Sequence, residues 1–166
     1  MPKLIKDKAI VDDSWTIIAA TDDPDLVDTS AKQVIVPLNV WNAQKSTLEA
    51  RKSEIGVWLN SDELADELGS DAAGFQIVAV NFPGFMDGRG FTAARLLRER
   101  FGFEGELRAI GHVIRDQLFF LQRCGFNSFV LGDSANLEIA LDSFNDFTET
   151  YQAAYDQKLP LFRRRA

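Results

Sequence analysis

Two junctions of the same form, Arg100-Phe101-Gly102-Phe103 and Arg123-Cys124-Gly125-Phe126, set the architecture of this chain more firmly than any other feature. A glycine just past a helix end adopts the left-handed conformation that stops the helix, and the Phe after it packs back on the last turn. Between them and after them run short apolar segments that themselves end in glycine: Leu107 to Ile110 before Gly111, and Ser128 to Leu131 before Gly132. Strand, glycine, helix, glycine, repeated, describes successive βα units, and such units imply a parallel sheet with right-handed crossovers and helices packed on it. The expected fold is therefore α/β, with the sheet either doubly wound or a partial TIM-barrel-like arc. A partial barrel leaves unpaired edges, and a homodimer is expected on that ground.

The same alternation begins upstream. Val34-Ile35-Val36 reads as a strand, with Pro37 opening a helix that carries Leu38, Trp41 and Leu48. Ile55 to Leu59 is the next strand, followed by a short helix capped by Ser61 or Asp62 and ended by Gly69. Gln76 to Phe82 is the clearest buried strand, and helices are expected over 91–101, 115–124 and 136–151. Ahead of these units, Lys3 to Lys6 and Ala9 to Val11 flank an Asp7-Lys8 turn, and Trp15 to Ala19 is β-branched and aromatic. Residues 1–166 are thus expected to form one α/β domain: a small N-terminal β element over 1–20, βα units over 33–151 and a C-terminal tail over 156–166.

Charge and residue counts narrow the function. A formal net charge of −7 and a pI near 4.7 give a summed field that repels a phosphate backbone, so nucleic acid is not an expected partner. The apolar runs are far shorter than the roughly 20 residues that span a bilayer, and the basic start Met1 to Lys8 lacks the apolar core of a secretion signal, so no membrane association and a cytoplasmic location are expected. One cysteine, Cys124, excludes an intramolecular disulfide and a self-contained four-thiolate cluster. With His112 the single histidine, no metal site and no resident cofactor are expected.

Ligands of parallel α/β folds gather at the carboxyl ends of the strands, which directs attention to the loops after Phe82, Ile110 and Leu131. The first holds Gly84, Asp87, Gly88, Arg89, Gly90 and Thr92 directly before a helix. Glycines let backbone amides approach a ligand, a helix start attracts negative charge and a guanidinium grips oxyanions, so this loop is a candidate anion site. The competing reading is a structural loop in which Asp87-Gly88 makes a turn and Arg89 pairs with a carboxylate. Gly88-x-Gly90-x-x-Ala93 meets the dinucleotide pattern only superficially: Pro83 to Asp87 separate it from the strand, and the next strand ends in Gly111-His112 without the ribose-binding acid. The second loop places His112 beside Arg115 and Asp116. Histidine titrates nearest neutrality, so His112 with Asp87 or Asp116 is a candidate acid/base pair, against a structural histidine at a strand end. Cys124 reads as a small buried hydrophobe, and Pro160 to Arg165 as a solvated tail or a docking point for an acidic partner.

The run Asp87 to Arg100, then Arg115-Asp116-Gln117-Leu118-Phe119-Phe120 and Arg123-Cys124-Gly125-Phe126, with Ala79 to Pro83 and the Pro160 to Arg165 tail, resembles the bacterial family called domain of unknown function 934. The resemblance covers nearly the whole length. It implies Asp87, Arg89, Arg95, Arg115 and Asp116 as pattern positions, while His112 stands where related sequences usually carry Asp. Members of that family are labelled as oxidoreductases or as accessory proteins of sulfite reduction through association with those genes. The resemblance therefore implies a role in sulfate assimilation, with the sulfite-reducing haemoprotein as an expected partner. The alternatives are an enzyme acting on a small phosphorylated or carboxylated metabolite, and a structural homodimer without catalysis.

Overall fold

The structure, a computed structural model, describes residues 1–165. Its strands are β1 (Lys3–Lys6), β2 (Ala9–Asp12), β3 (Thr16–Ile17), β4 (Val34–Pro37), β5 (Ile55–Leu59), β6 (Ile77–Phe82), β7 (Glu106–Gly111) and β8 (Ser128–Phe129). The helices are α1 (Leu38–Ala43), α2 (Lys45–Leu48), α3 (Ala65–Leu68), α4 (Arg89–Glu99), α5 (Leu118–Cys124), α6 (Leu137–Asp142) and α7 (Leu161–Arg164). All eight strands join one sheet in the order β2-β1-β8-β7-β6-β5-β4-β3.

From β3 to β8 the strands lie in chain order and pair in parallel. A doubly wound sheet reverses its order at a switch point; this one does not, which leaves the partial-barrel alternative. The expectation of a purely parallel sheet needs correction, because β1 pairs antiparallel with β8 and β2 antiparallel with β1. The N-terminal hairpin is thus part of the main sheet, its two-residue turn held by Asp7 and Lys8 at φ 49° and 62°.

The curl follows from chain length. β2 and β3 are the two edges, yet only Asp13, Ser14 and Trp15 join them, a reach of about 14 Å at full extension. Eight strands laid flat would separate their edges by about 34 Å. The sheet therefore bends into an arc, and the link crosses its concave side. Asp13 accepts from Arg108 Nη1 at 3.0 and 2.9 Å, and Arg108 Nε donates to Glu106 at 2.8 Å. Lys6 Nζ stands 2.6 Å from the other Glu106 oxygen. Burial acts to raise the Glu106 carboxyl, but the Arg108 charge together with Lys6 outweighs it and the net direction is down. Above this network Trp15 packs on Ile35, Trp58, Ile77, Ala79 and Ile110, and Trp58 Nε1 donates to the Ile18 carbonyl at 2.9 Å.

The convex side carries the main core. Val36, Val57, Val80, Leu107 and Phe129 alternate with the inward residues along their strands and meet Trp41, Leu97, Leu118 and Leu121 from the helices. Gly102 and Gly125 take φ of 63° and 112°, as helix stops require. Arg98, buried on α4, ties both stops together by donating to the carbonyls of Phe103, Gly105 and Gly125.

Several element bounds shift from expectation. Pro37 ends β4 instead of opening a helix, and the helix after it breaks into α1 and α2. Leu64, not Ser61 or Asp62, precedes α3, and Glu67 reaches back to its amide at 3.1 Å. The helix foreseen over 136–151 stops at Asp142 and a 3-10 turn ending at Asn145. Beyond it Arg123 draws the chain away from helical pairing by donating to Thr150 at 2.7 Å, Asp156 at 3.2 Å and the Gln152 carbonyl. Trp15 to Ala19 contributes only the short edge strand β3, and the strand at Ser128 ends at Phe129. Cys124 is buried as expected, and that burial pushes its thiol up.

Candidate functional site

The carboxyl ends of β5 to β8 open on one side of the arc, and the loops there hold most of the candidate residues. After β5, Asn60 receives the Asn81 amide at 3.0 Å, while its own N–H donates to Glu63 at 2.7 Å. Burial first, then Asp62 and Glu67, raise the Glu63 carboxyl against that hydrogen bond. Asn60 and Glu63 were not foreseen: each is a common polar residue, and only the pairing of β5 with β6 brings them to Asn81.

The glycine-rich loop after β6 closes on itself. Arg89 Nε and Nη2 donate to the two Asp87 oxygens at 3.0 and 2.6 Å, and Nη2 reaches Ser61 Oγ at 3.0 Å. The Arg89 guanidinium, then the Ser61 hydroxyl, hold the Asp87 carboxyl well below the usual range. The Arg89 amide donates to Asp87, the Asp87 amide to the Gly84 carbonyl and the Phe91 amide to the Gly88 carbonyl. The glycines have separate reasons. Gly84, Gly88 and Gly90 all keep negative φ, and a Cβ on Gly90 would stand 2.8 Å from the Phe82 ring, so Gly90 lets α4 sit against β6. Thr92 and Arg95 are exposed on α4, with Arg95 paired to Glu99. The cleft beside Arg89 is also lined by Asp62 and Glu63, so carboxylates surround the cation expected to hold an anion.

The loop after β7 is arranged otherwise. Gly111 takes φ 86°, and a Cβ there would stand 2.3 Å from Asn81 Oδ1 and 2.5 Å from the Phe82 carbonyl. That conformation lets the His112 amide donate to Phe82 at 2.6 Å and turns the chain outward. His112, Arg115 and Asp116 are exposed. The ion pairs of the described residues engage Arg51, Arg89, Arg95, Arg100, Arg108, Arg123 and Arg164, and none reaches Arg115 or Asp116. His112 and Arg115 line a cleft of about 350 Å³ with Ser134 and Asn136 from the loop after β8. Its remaining wall is apolar, from Val113, Ile114, Leu131 and Ile139. Asn136 Oδ1 caps α6 by accepting from Ile139 at 3.0 Å, which leaves its amide group as a donor. The structure thus divides the candidates: Asp87 and Arg89 pair with each other at one cleft, and His112 and Arg115 meet at the next. Among the described residues, no group of three or more His, Cys, Asp or Glu is placed to hold a metal ion, and no helix is long and apolar enough to cross a membrane.

The class so defined is a mixed α/β protein with a curled, half-barrel sheet whose polar loops gather at the carboxyl ends of parallel strands. Within that class the chain belongs to a bacterial family of unknown function: the family model described as "Bacterial protein of unknown function (DUF934)" matches residues 56–162, from β5 through the start of α7. No curated protein matches the chain.

Proposed function

We propose that the protein holds a small oxyanion in the cleft between the loops after β7 and β8, and does so as an accessory partner of sulfite reduction. The observation that carries the first half is the contrast in arginine partners: Arg115 lines a cleft with no ion pair among the described residues, whereas Arg89 is taken up by Asp87 and Ser61. A guanidinium, the His112 ring, the Ser134 hydroxyl and the Asn136 amide supply the donors an oxyanion requires. The apolar wall of Val113, Ile114, Leu131 and Ile139 gives the cleft a shape, while its donors stand open to solvent. Asp133, in the same loop, is not among the lining side chains.

The second half rests on the family resemblance, whose members are labelled by their association with sulfite-reduction genes. The chemistry of the chain favours partnership over a self-contained reductase, since one cysteine cannot ligate an iron–sulfur cluster alone. Titration calorimetry with sulfite, sulfate and phosphate tests the site. Arg115→Ala is expected to weaken binding by roughly 30-fold, the range of a lost charge-assisted hydrogen bond, while Arg89→Ala leaves it unchanged. Equal affinities for wild type and Arg115→Ala overturn the site. Surface-immobilised protein exposed to the purified sulfite-reducing haemoprotein tests the partnership, and absence of binding overturns it.

A further inference from the structure

The cleft between the loops after β7 and β8 is built on two levels. Its floor is carbon: Val113, Leu131 and Ala140 line it, belong to the main core and are 4, 8 and 1% exposed. Its rim is polar, with His112, Arg115, Ser134 and Asn136 exposed. Between floor and rim stand Ile114 and Ile139, which join neither hydrophobic cluster; Ile139 is 51% exposed. Apolar surface therefore remains in water inside the cleft, directly below its only charge.

This layering decides which anion fits. Donors that stand in water hold an inorganic ion weakly, since an exposed ion pair strengthens an association by roughly fivefold at most. Such an ion at the rim also leaves the floor and both isoleucines wet. The cleft, at about 350 Å³, falls within the range of about 300 to 1,000 Å³ that holds organic ligands, and a tetrahedral inorganic ion fills little of it. A hydrocarbon body laid on the floor takes Ile114 and Ile139 out of water and supplies the larger part of the affinity, while a charged head stays hydrated at the rim. No carboxylate lines the cleft, so the head meets Arg115 without a competitor there. The His112 ring is the only aromatic group of the lining, and the rest of the wall is aliphatic, which suits an aliphatic body better than a flat ring.

We propose that the ligand of this cleft is an aliphatic oxyanion, a charged oxygen-bearing head on a short hydrocarbon body, with the head at Arg115 and the body over Val113, Leu131 and Ile139. The proposal rests on the oxyanion reading of the same cleft and specifies its ligand. Calorimetric titration of the full chain with methane-, propane- and hexanesulfonate, with hexanol as the uncharged control, is its test. For wild type the dissociation constant is expected to fall by roughly two- to fourfold per added methylene, and hexanol to bind roughly tenfold more weakly than hexanesulfonate. Ile139→Ser changes a half-exposed side chain and keeps the backbone bond to Asn136. It is expected to flatten the gradient, weakening hexanesulfonate by roughly fivefold more than methanesulfonate, whereas Arg115→Ala weakens all three sulfonates alike. Equal affinities along the wild-type series that still depend on Arg115, or a full gradient in Ile139→Ser, would overturn this inference and leave the oxyanion reading standing. A gradient that Arg115→Ala does not weaken, or hexanol bound as tightly as hexanesulfonate, would overturn the oxyanion reading and this inference with it, as would the absence of binding by every sulfonate.

Discussion

The loops after β6 and β7 leave neighbouring strands at the same end of the sheet, and both carry glycine, an acid and arginine, yet they place their cations in opposite ways. In the first, Asp87 lies two residues from Arg89, the spacing at which a carboxylate accepts the Arg89 amide and guanidinium together. In the second, Asp116 adjoins Arg115 on a 3-10 turn, and no ion pair forms between them. The difference teaches that a glycine-rich stretch advertises packing as readily as binding. Gly90 is small so that α4 reaches β6, and the loop that looks built for an anion supplies its own counter-charge. Available positive charge lies one strand further along.

The sharpest way to test this contrast is at its two constrained glycines. Gly111→Ala is expected to destabilise the protein by about 3 kcal/mol, because it combines a backbone clash with a φ that side chains resist, and to abolish anion binding by displacing His112. Gly90→Ala is expected to cost about 2 kcal/mol through overpacking against Phe82 and Val80, and to leave anion binding intact. Gly84→Ala, with open space around its Cβ, should be nearly neutral. Chemical denaturation of the three variants ranks them; a Gly90→Ala protein that keeps its stability but loses anion binding would return the site to the first loop.

A smaller effect lies in pH. Glu106, in the concave network, has a lowered carboxyl, so its contribution is present above the ordinary glutamate value of 4.5 and is lost as pH falls through the lower folded value. Glu63, at the mouth, is raised, so the sign reverses: the folded state takes up its proton more readily, and stability from this group grows as pH falls. Glu106→Gln is expected to flatten the acid limb of the stability profile, and Glu63→Gln to remove a penalty near neutrality while keeping the bond to the Asn60 amide. Thermal melts between pH 3 and pH 7, the span over which carboxylates titrate, check both signs.

What was legible in the sequence is what local chemistry decides. The helix stops at Gly102 and Gly125, the turn at Asp7-Lys8 and the strands β5 and β6 depend on neighbours a few positions away, and they stand as expected. The alternation also predicted βα units, although sheet order became clear only once β3 to β8 were seen in sequence and the hairpin was found antiparallel to β8. The concave network was hidden because Arg108 and Asp13 are 95 positions apart. The course of the chain beyond α6 was hidden because Arg123, from another helix, ties it through Thr150, Gln152 and Asp156. Both arginines after β6 and β7 were candidates; Ser61 and Asp87 engage the first, and no ion pair among the described residues engages the second.

The most direct test of this division is to map a phosphate or sulfite titration onto backbone amides by nuclear magnetic resonance. The amides of Gly111 to Arg115 and Gly132 to Asn136 are expected to move saturably while those of Gly84 to Thr92 stay fixed. Saturable movement confined to Gly84 to Thr92, or none in either region, would contradict it.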